Sequence, residues 1–467
     1  MLTTLLAQVP APPPVLKPDS VLGFVLLDIT IILVAAQLLG ALARRLNQPT
    51  VVGQIVAGVL LGPTLLGPTL FQWGNSWSFL RCDVSLAASN PPVLPSITTC
   101  VFPPQARGVI GVIGQVALIL YMFLIGTELD FSVIRGKGRA IATVAVGAVL
   151  FPMALGLVVG PVLYDAKWVG GFGLDAQPSK MAFSLMVGAM LAVTAFPVMA
   201  HILQEKGLSR SLMGSVGIAA TAVLSVLMFL AVATAAGVAR HDSTGDILTK
   251  YGLTALYIAV LFLVVRPLLE PLGRAAEAKG EVSQGMFGVI FILVFASAYV
   301  ADRIGINVIP GAFLAGAVLP ARELVFREMS AKLRDLTLVV LLPIFLAFSG
   351  LNTDFTKLGI SFMGGIALFL VAGIVGKWVG GAISARAGGL SWAEGNLLGV
   401  LMNCRGLLVL VVALIALQAG VISPALQTGA VLMALITTAM TGPLFDALLP
   451  KAVAAAEASE SAQATAP

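Results

Sequence analysis

Charge is what this sequence has least of. Only 10% of its 467 residues are Asp, Glu, Lys or Arg, against about 25% in an ordinary soluble domain. So little charge excludes a cytosolic enzyme, a nucleic-acid binder and a disordered chain. Histidine is scarcer still, with His201 and His241 alone. They fall at opposite ends of the apolar segments set out below, which leaves no His/carboxylate metal set for an intramembrane enzyme. No enzymatic role, metal or cofactor is expected, and no nucleic-acid partner. Cysteine occurs three times. Cys82 and Cys100 share a stretch, 70–107, rich in Pro, Ser and Asn, whereas Cys404 stands apart in apolar sequence. If that stretch is exoplasmic, the pair can persist as a disulfide or remain as two thiols. The N-terminal MLTTLLAQVPAPPP has no basic stretch, and its short apolar part is broken by proline, so no signal peptide is expected.

What the chain has instead is apolar mass: 58% of residues are hydrophobic and the mean hydropathy is +1.02. No soluble core of this size needs that much, so the main solvent is lipid. A membrane helix takes about 20 mostly apolar residues to cross the hydrocarbon. Thirteen candidates follow: 20–43, 50–69, 108–128, 140–163, 181–203, 211–238, 250–269, 284–301, 305–320, 336–350, 358–382, 395–418 and 426–448. The expected fold class is an all-α polytopic membrane protein. The ninth segment is short and carries Pro310, so it reads either as a span or as a re-entrant piece. Residues 1–19 form an N-terminal segment and 20–450 the membrane domain. The Ala/Ser/Glu-rich stretch 451–467 is expected to be a disordered tail.

With the N-terminus outside, the inner loops hold 16 Lys and Arg, the outer ones 9, and Lys377 and Arg405 fall within spans. The bias puts the N-terminus out and the C-terminus in the cytoplasm, with a bacterial-type plasma membrane as the setting.

Two spans are interrupted at mid-depth. The fifth reads Ala192-Val-Thr194-Ala-Phe196-Pro197-Val-Met-Ala-His201, where Pro197 removes a backbone donor. The twelfth reads Leu401-Met-Asn403-Cys404-Arg405-Gly406. A lone proline of this kind is an ordinary membrane kink. A pair of interruptions, in spans that run in opposite directions, is the mark of an inverted-repeat secondary transporter whose half-helix ends form an ion site. Lys377 is the second anomaly. It sits in Gly373-Ile-Val-Gly376-Lys377-Trp-Val-Gly380-Gly381, where an ionisable group is costly and points to function, unless it snorkels to the inner surface already marked by Arg386. Gly376 and Gly380 permit close helix approach around it.

Several segments together resemble a known family. They are Gln48-Pro49-Thr-Val-Val-Gly-Gln54 through Gly62-Pro63, Phe123-Leu-Ile-Gly-Thr-Glu128-Leu-Asp130, Thr194 to Leu203, Ile304-Gly-Ile-Asn-Val-Ile-Pro-Gly-Ala-Phe313, and Met402-Asn403-Cys-Arg-Gly406. They are similar to the monovalent cation:proton antiporters of the cation/proton antiporter 2 group, near the plant cation/H+ exchangers. The resemblance covers roughly residues 20–450. It implies a thirteen-helix antiporter fold with two crossed discontinuous helices, a dimerisation domain (hence a homodimer), and exchange of Na+ or K+ for protons across a lipid membrane.

The departures from the family pattern are specific. The family's Asn-Asp or Asp-Asp coupling pair falls here on Leu224-Ser225. Gln54 stands where the family usually has Glu, and the run Cys404-Arg405-Gly406-Leu407-Leu408-Val409 lacks the usual acid at its end. The basic Lys377 and Arg405 remain, and by this reading Lys377 has no acidic partner. Thr221 and Ser225 share a helix face at i and i+4, and with Thr194 and Asn403 they can offer neutral oxygens. Three readings stay open: proton exchange on Lys377 alone, with the lysine able to shed its charge; a carboxylate-free core that takes an anionic or organic solute; or a degenerate paralogue that no longer transports. Asp302 is either a surviving pathway group or a surface partner of Arg303. Asp28 is expected at the dimer face, His201 at the inner end of the broken helix, and Glu128 and Asp130 in structural roles.

Overall fold

The computed structural model describes residues 18–46, 48–66, 101–127, 138–165, 178–195, 198–199, 202–203, 206–208, 211–240, 242–320, 323–351, 353, 355 and 360–464. The calls at Cys82, Cys100, Phe196, Pro197, His201, Glu128 and Asp130 lie outside them. In chain order the helices are α1 (Pro18–Arg45), α2 (Thr50–Leu61), α3 (Pro63–Leu66), α4 (Pro104–Thr127), α5 (Gly138–Leu163), α6 (Lys180–Ala192), α7 (Leu212–Ala239), α8 (Thr244–Val260) and α9 (Arg266–Lys279). There follow α10 (Gln284–Ile304), α11 (Val308–Ala317), α12 (Glu323–Asp335), α13 (Leu342–Leu351), α14 (Ile360–Ala387), α15 (Trp392–Met402), α16 (Gly406–Gln418) and α17 (Pro424–Ala464). Among the described residues nine helical stretches are long and apolar enough to cross a membrane, with shorter apolar helices at Thr50–Leu66, Lys180–Ala192, Val308–Ala317 and Leu408–Gln418.

Local chemistry sets the starts. Ser179, Ser211, Ser243, Ser283 and Ser391 each accept a backbone N–H of the first turn that follows, satisfying donors that have no partner within the helix. Ser243 with Asp246 and Ser391 with Glu394 complete reciprocal capping boxes. The cap at Ser243 explains why the seventh segment starts earlier than its apolar run. The tenth is also longer than expected. The charged α12 continues through a π-helical stretch, Leu336–Leu341, into α13. Pro343 supplies no N–H there, and Val339 O instead accepts from Gln37 Nε2 at 3.4 Å. The stretch 70–107 ends sooner than expected, because α4 begins at Pro104. The last helix runs to Ala464, over residues expected to form a disordered tail; alanine, the strongest helix former, dominates that stretch.

The helices pack in two groups. In one, α1 lies on α2, α2 and α4 on α13, and α4 and α10 on α11. In the other, α5 is flanked by α6, α7 and α14, and α15 by α14 and α17, with α16 against α17. Small residues bring backbones together in both. A Cβ added at Gly316 would lie 2.2 Å from Phe123 O, and one at Gly380 would lie 2.6 Å from Phe151 Cβ. This close approach is how membrane helices associate without a hydrophobic driving force.

Candidate ion-binding crossing

The fifth and twelfth segments are both broken, and the breaks touch. α6 stops at Ala192, Val193 is extended, and the chain stays outside the helix through Ala195, with Val198 and Met199 helical again. α15 stops at Met402 and α16 starts at Gly406, whose φ of +46° suits glycine. Between the breaks, Ala195 N donates to Cys404 O at 2.7 Å and Thr194 Oγ1 to Met402 O at 2.8 Å. Gly406 N donates to Thr438 Oγ1 at 3.0 Å. Interrupting a helix in lipid frees backbone groups that must find partners inside the protein, and here each break satisfies part of the other.

Arg405 is fully buried in this crossing. Its Nη1 donates to Met190 O at 2.9 Å and Leu191 O at 2.6 Å, and its Nη2 to Gly373 O at 2.6 Å. Met190 and Leu191 lie in the last turn of α6, so the guanidinium takes carbonyls that the helix leaves unpaired and sits at its negative end. Asn403 Nδ2 reaches Ile374 O at 3.4 Å. Asn403 Oδ1 and Arg405 Nε are buried with no hydrogen-bond partner among the described residues.

Lys377 is also fully buried, which excludes snorkelling to the inner surface. It is not unpartnered, as the missing acids suggested: Nζ donates to Ala148 O of α5 at 2.9 Å. That carbonyl is available because Pro152, four residues on, has no N–H to complete the helical ladder. Gly376 lets the helices meet at this level, a Cβ there lying 2.9 Å from Leu155 Cδ1 and 3.4 Å from Pro152 Cα. Both buried cations are thus met by backbone carbonyls.

Leu224 and Ser225 lie buried on α7. Ser225 Oγ donates to Thr221 O at 2.9 Å and Thr221 Oγ1 to Gly217 O at 2.8 Å, so each hydroxyl spends its proton on its own helix and keeps lone pairs as an acceptor. Ser225 lines a cavity with Ala195, Val198 and Leu408 on one side and Val51, Tyr121, Met122, Ile125, Phe313 and Leu342 on the other. The cavity lies between the two helix groups, at the crossing.

Asp302 is exposed at the end of α10, away from this cavity, and no ion pair joins it to Arg303 among the described residues. Asp28 is buried in α1, in the other helix group, facing the charge of Arg107. Gln54 is buried on α2 and Val409 on α16. Sequence reading missed Thr438 and Pro152. A threonine inside an apolar run marks the first: Thr437 and Thr441 bond their own helix, whereas Thr438 turns to Gly406. A proline four residues after a carbonyl facing a lysine marks the second, but only the fold reveals which helix faces Lys377.

A family model described as sodium/hydrogen exchanger, transmembrane, matches residues 30–451. The chain belongs to the sodium/hydrogen exchanger family. Among the family's proteins, the Na+/H+ antiporter NhaS4 of Synechocystis sp. is 34% identical over 437 residues, 92% of this chain and 98% of that protein. Cation/H+ antiporter 19 of Arabidopsis thaliana is 30% identical over 429 residues, 91% of this chain and 50% of the plant protein, so the chain spans about half the length of that relative. The structure of the sodium proton antiporter MjNhaP1 from Methanocaldococcus jannaschii at pH 8 superposes with a TM-score of 0.58 at 14% identity, covering 91% of this chain and 97% of that one. The fold is therefore that of the exchanger family, all-α with two crossed discontinuous helices, as the motifs implied.

Proposed function

We propose that this exchanger carries out secondary active transport of a monovalent cation, Na+ or K+, against protons, and that Lys377 carries the proton. The observation that supports the reading most directly is the assembled crossing, bonded from Ala195 to Cys404, with a cavity reaching Ser225 where the family's acid would stand. Cation ligation falls to neutral oxygens there: the Ser225 and Thr221 hydroxyls, Asn403 Oδ1 and freed carbonyls. Such groups hold an alkali ion without a carboxylate, provided the neighbouring lysine sheds its charge when the ion enters. Proton and cation then exclude one another by charge repulsion across the site. The test is proton flux in vesicles reconstituted with the purified protein under Na+ and under K+ gradients. Lys377→Ala is expected to reduce flux to that of empty vesicles. Unchanged flux in that variant would remove the lysine from the mechanism.

A second reading, a degenerate paralogue that is non-transporting or moves an anionic or organic solute, is favoured by the buried Leu224 at the coupling position and by two buried cations with no described acid bonded to them. The same vesicles, silent with both ions, would support it.

The topology belongs to the proposal as well: a homodimer in a bacterial-type plasma membrane, N-terminus outside, C-terminus cytoplasmic, with thirteen spans. In a background lacking the native cysteines, Thr244→Cys is expected to react with an impermeant thiol reagent from outside, and Lys279→Cys only from inside. Both positions are exposed, so labelling of Lys279→Cys from outside would reverse the assignment.

A further inference from the structure

We propose that Pro152 is a positioning residue for Lys377: by lacking an N–H it holds the Ala148 carbonyl out of the helical ladder as a fixed, non-titrating acceptor for the lysine's proton. The functional consequence rests on the reading of Lys377 as the proton carrier; the acceptor role does not.

Several observations point the same way. Lys377 Nζ lies 2.9 Å from Ala148 O, and both residues are buried. Pro152 is buried inside α5, four residues past Ala148, where the missing donor would otherwise close the ladder on that oxygen. α14 approaches α5 at this level through Gly376, where a Cβ would meet Leu155 and Pro152. Among the described residues the charge that acts on Lys377 is that of Arg405, from the break between α15 and α16, where the buried Cys404 thiol lies beside the guanidinium. Among the described residues α5 meets Lys377 with the Ala148 carbonyl and no acid.

An acceptor bonds an ammonium more strongly than an amine. Weakening it therefore disfavours the protonated lysine, and a higher proton concentration is then needed to load it. In Pro152→Ala the new backbone amide claims Ala148 O and α5 straightens into its ladder. In Gly380→Ala the new Cβ, 2.6 Å from Phe151 Cβ one residue before Pro152, pushes α14 off α5. Both are expected to move the pH of half-maximal flux down by about one unit, since one unit corresponds to about 1.4 kcal/mol. Gly364→Ala, on the same helix with nothing near its Cβ, is expected to leave the pH profile in place.

A readout without flux runs beside this. The pH dependence of the thermal midpoint, compared between the parent chain and Lys377→Met, isolates protons bound by the lysine. That difference curve is expected to shift to lower pH in the Pro152→Ala background. Coincident difference curves with and without the Pro152→Ala substitution, or an unmoved flux profile in both Pro152→Ala and Gly380→Ala, would overturn the positioning role. The transport reading fails separately, through unchanged flux in Lys377→Ala. A Pro152→Ala chain that does not fold leaves Gly380→Ala to decide by both readouts.

Discussion

Leu224→Asn combined with Ser225→Asp is expected to raise Na+- or K+-dependent proton flux at least tenfold over the parent chain. Ser225 already faces the cavity at the crossing, beside Ala195, Val198 and Leu408, so a carboxylate there enters the space an ion would occupy. Such a carboxylate about 4 Å from an ammonium gains about 4 kcal/mol at an effective dielectric of 20. That gain works against the roughly 1.5–3 kcal/mol of apolar burial lost at Leu224 and the desolvation of the new carboxylate. The new acid gives the cation a charged ligand and gives Lys377 a partner that titrates, which Ala148 O cannot do. Cation and proton then compete for a common charge instead of for neutral oxygens. Leu224→Asn alone adds no charge and is expected to leave flux at the parent level, which separates the carboxylate from simple loosening of α7. The measurement is proton flux at matched amounts of reconstituted protein. A double variant that is monodisperse, keeps the parent's thermal midpoint and is silent with both ions would show that α7 and α14 do not meet as the mechanism requires.

Much of this was legible in the sequence, for identifiable reasons. Lipid leaves no alternative to helices for so apolar a chain, and the two interruptions stand out against otherwise unbroken hydrophobic runs. Their contact through Ala195 and Cys404 follows from inverted repeats. Lys377 and Arg405 were visible as charges where charge is costly. Their partners were not, because both use backbone carbonyls, which every residue has and no composition or motif reveals. The expectation of an unpaired lysine came from looking for acids; Pro152 supplied the acceptor by what it lacks. Asp302 could be read either as a pathway group or as a surface partner of Arg303, because an acid at the end of a span fits both, and it lies exposed at the end of α10. The extents of the seventh and tenth segments were misjudged because caps and π-helical stretches extend a helix beyond its apolar run.

Arg405→Met is expected to cost the most stability of any single substitution at the crossing. The guanidinium fork closes three carbonyls, Met190 O, Leu191 O and Gly373 O, at 2.9, 2.6 and 2.6 Å. Methionine fills similar volume but donates nothing, so three buried acceptors lose this donor at about 1–3 kcal/mol each. Met190 and Leu191 suffer most, because the α6 ladder ends there and has no further N–H for them. Water is no substitute at a site with no exposure. Arg405→Lys keeps the charge at the negative end of α6 but replaces a planar fork by a single point donor, so it is expected to recover part of the loss. The thermal midpoints of the purified variants, read by loss of the monodisperse peak after heating, should rank parent above Arg405→Lys above Arg405→Met. This ranking also decides between two roles for the charge. A guanidinium that holds the broken helices together must destabilise the protein when removed, whatever solute is present. A guanidinium kept for an anionic solute would leave the resting protein stable in Arg405→Met and abolish only that solute's flux, and that outcome would move the carboxylate-free core from cation exchange to anion transport.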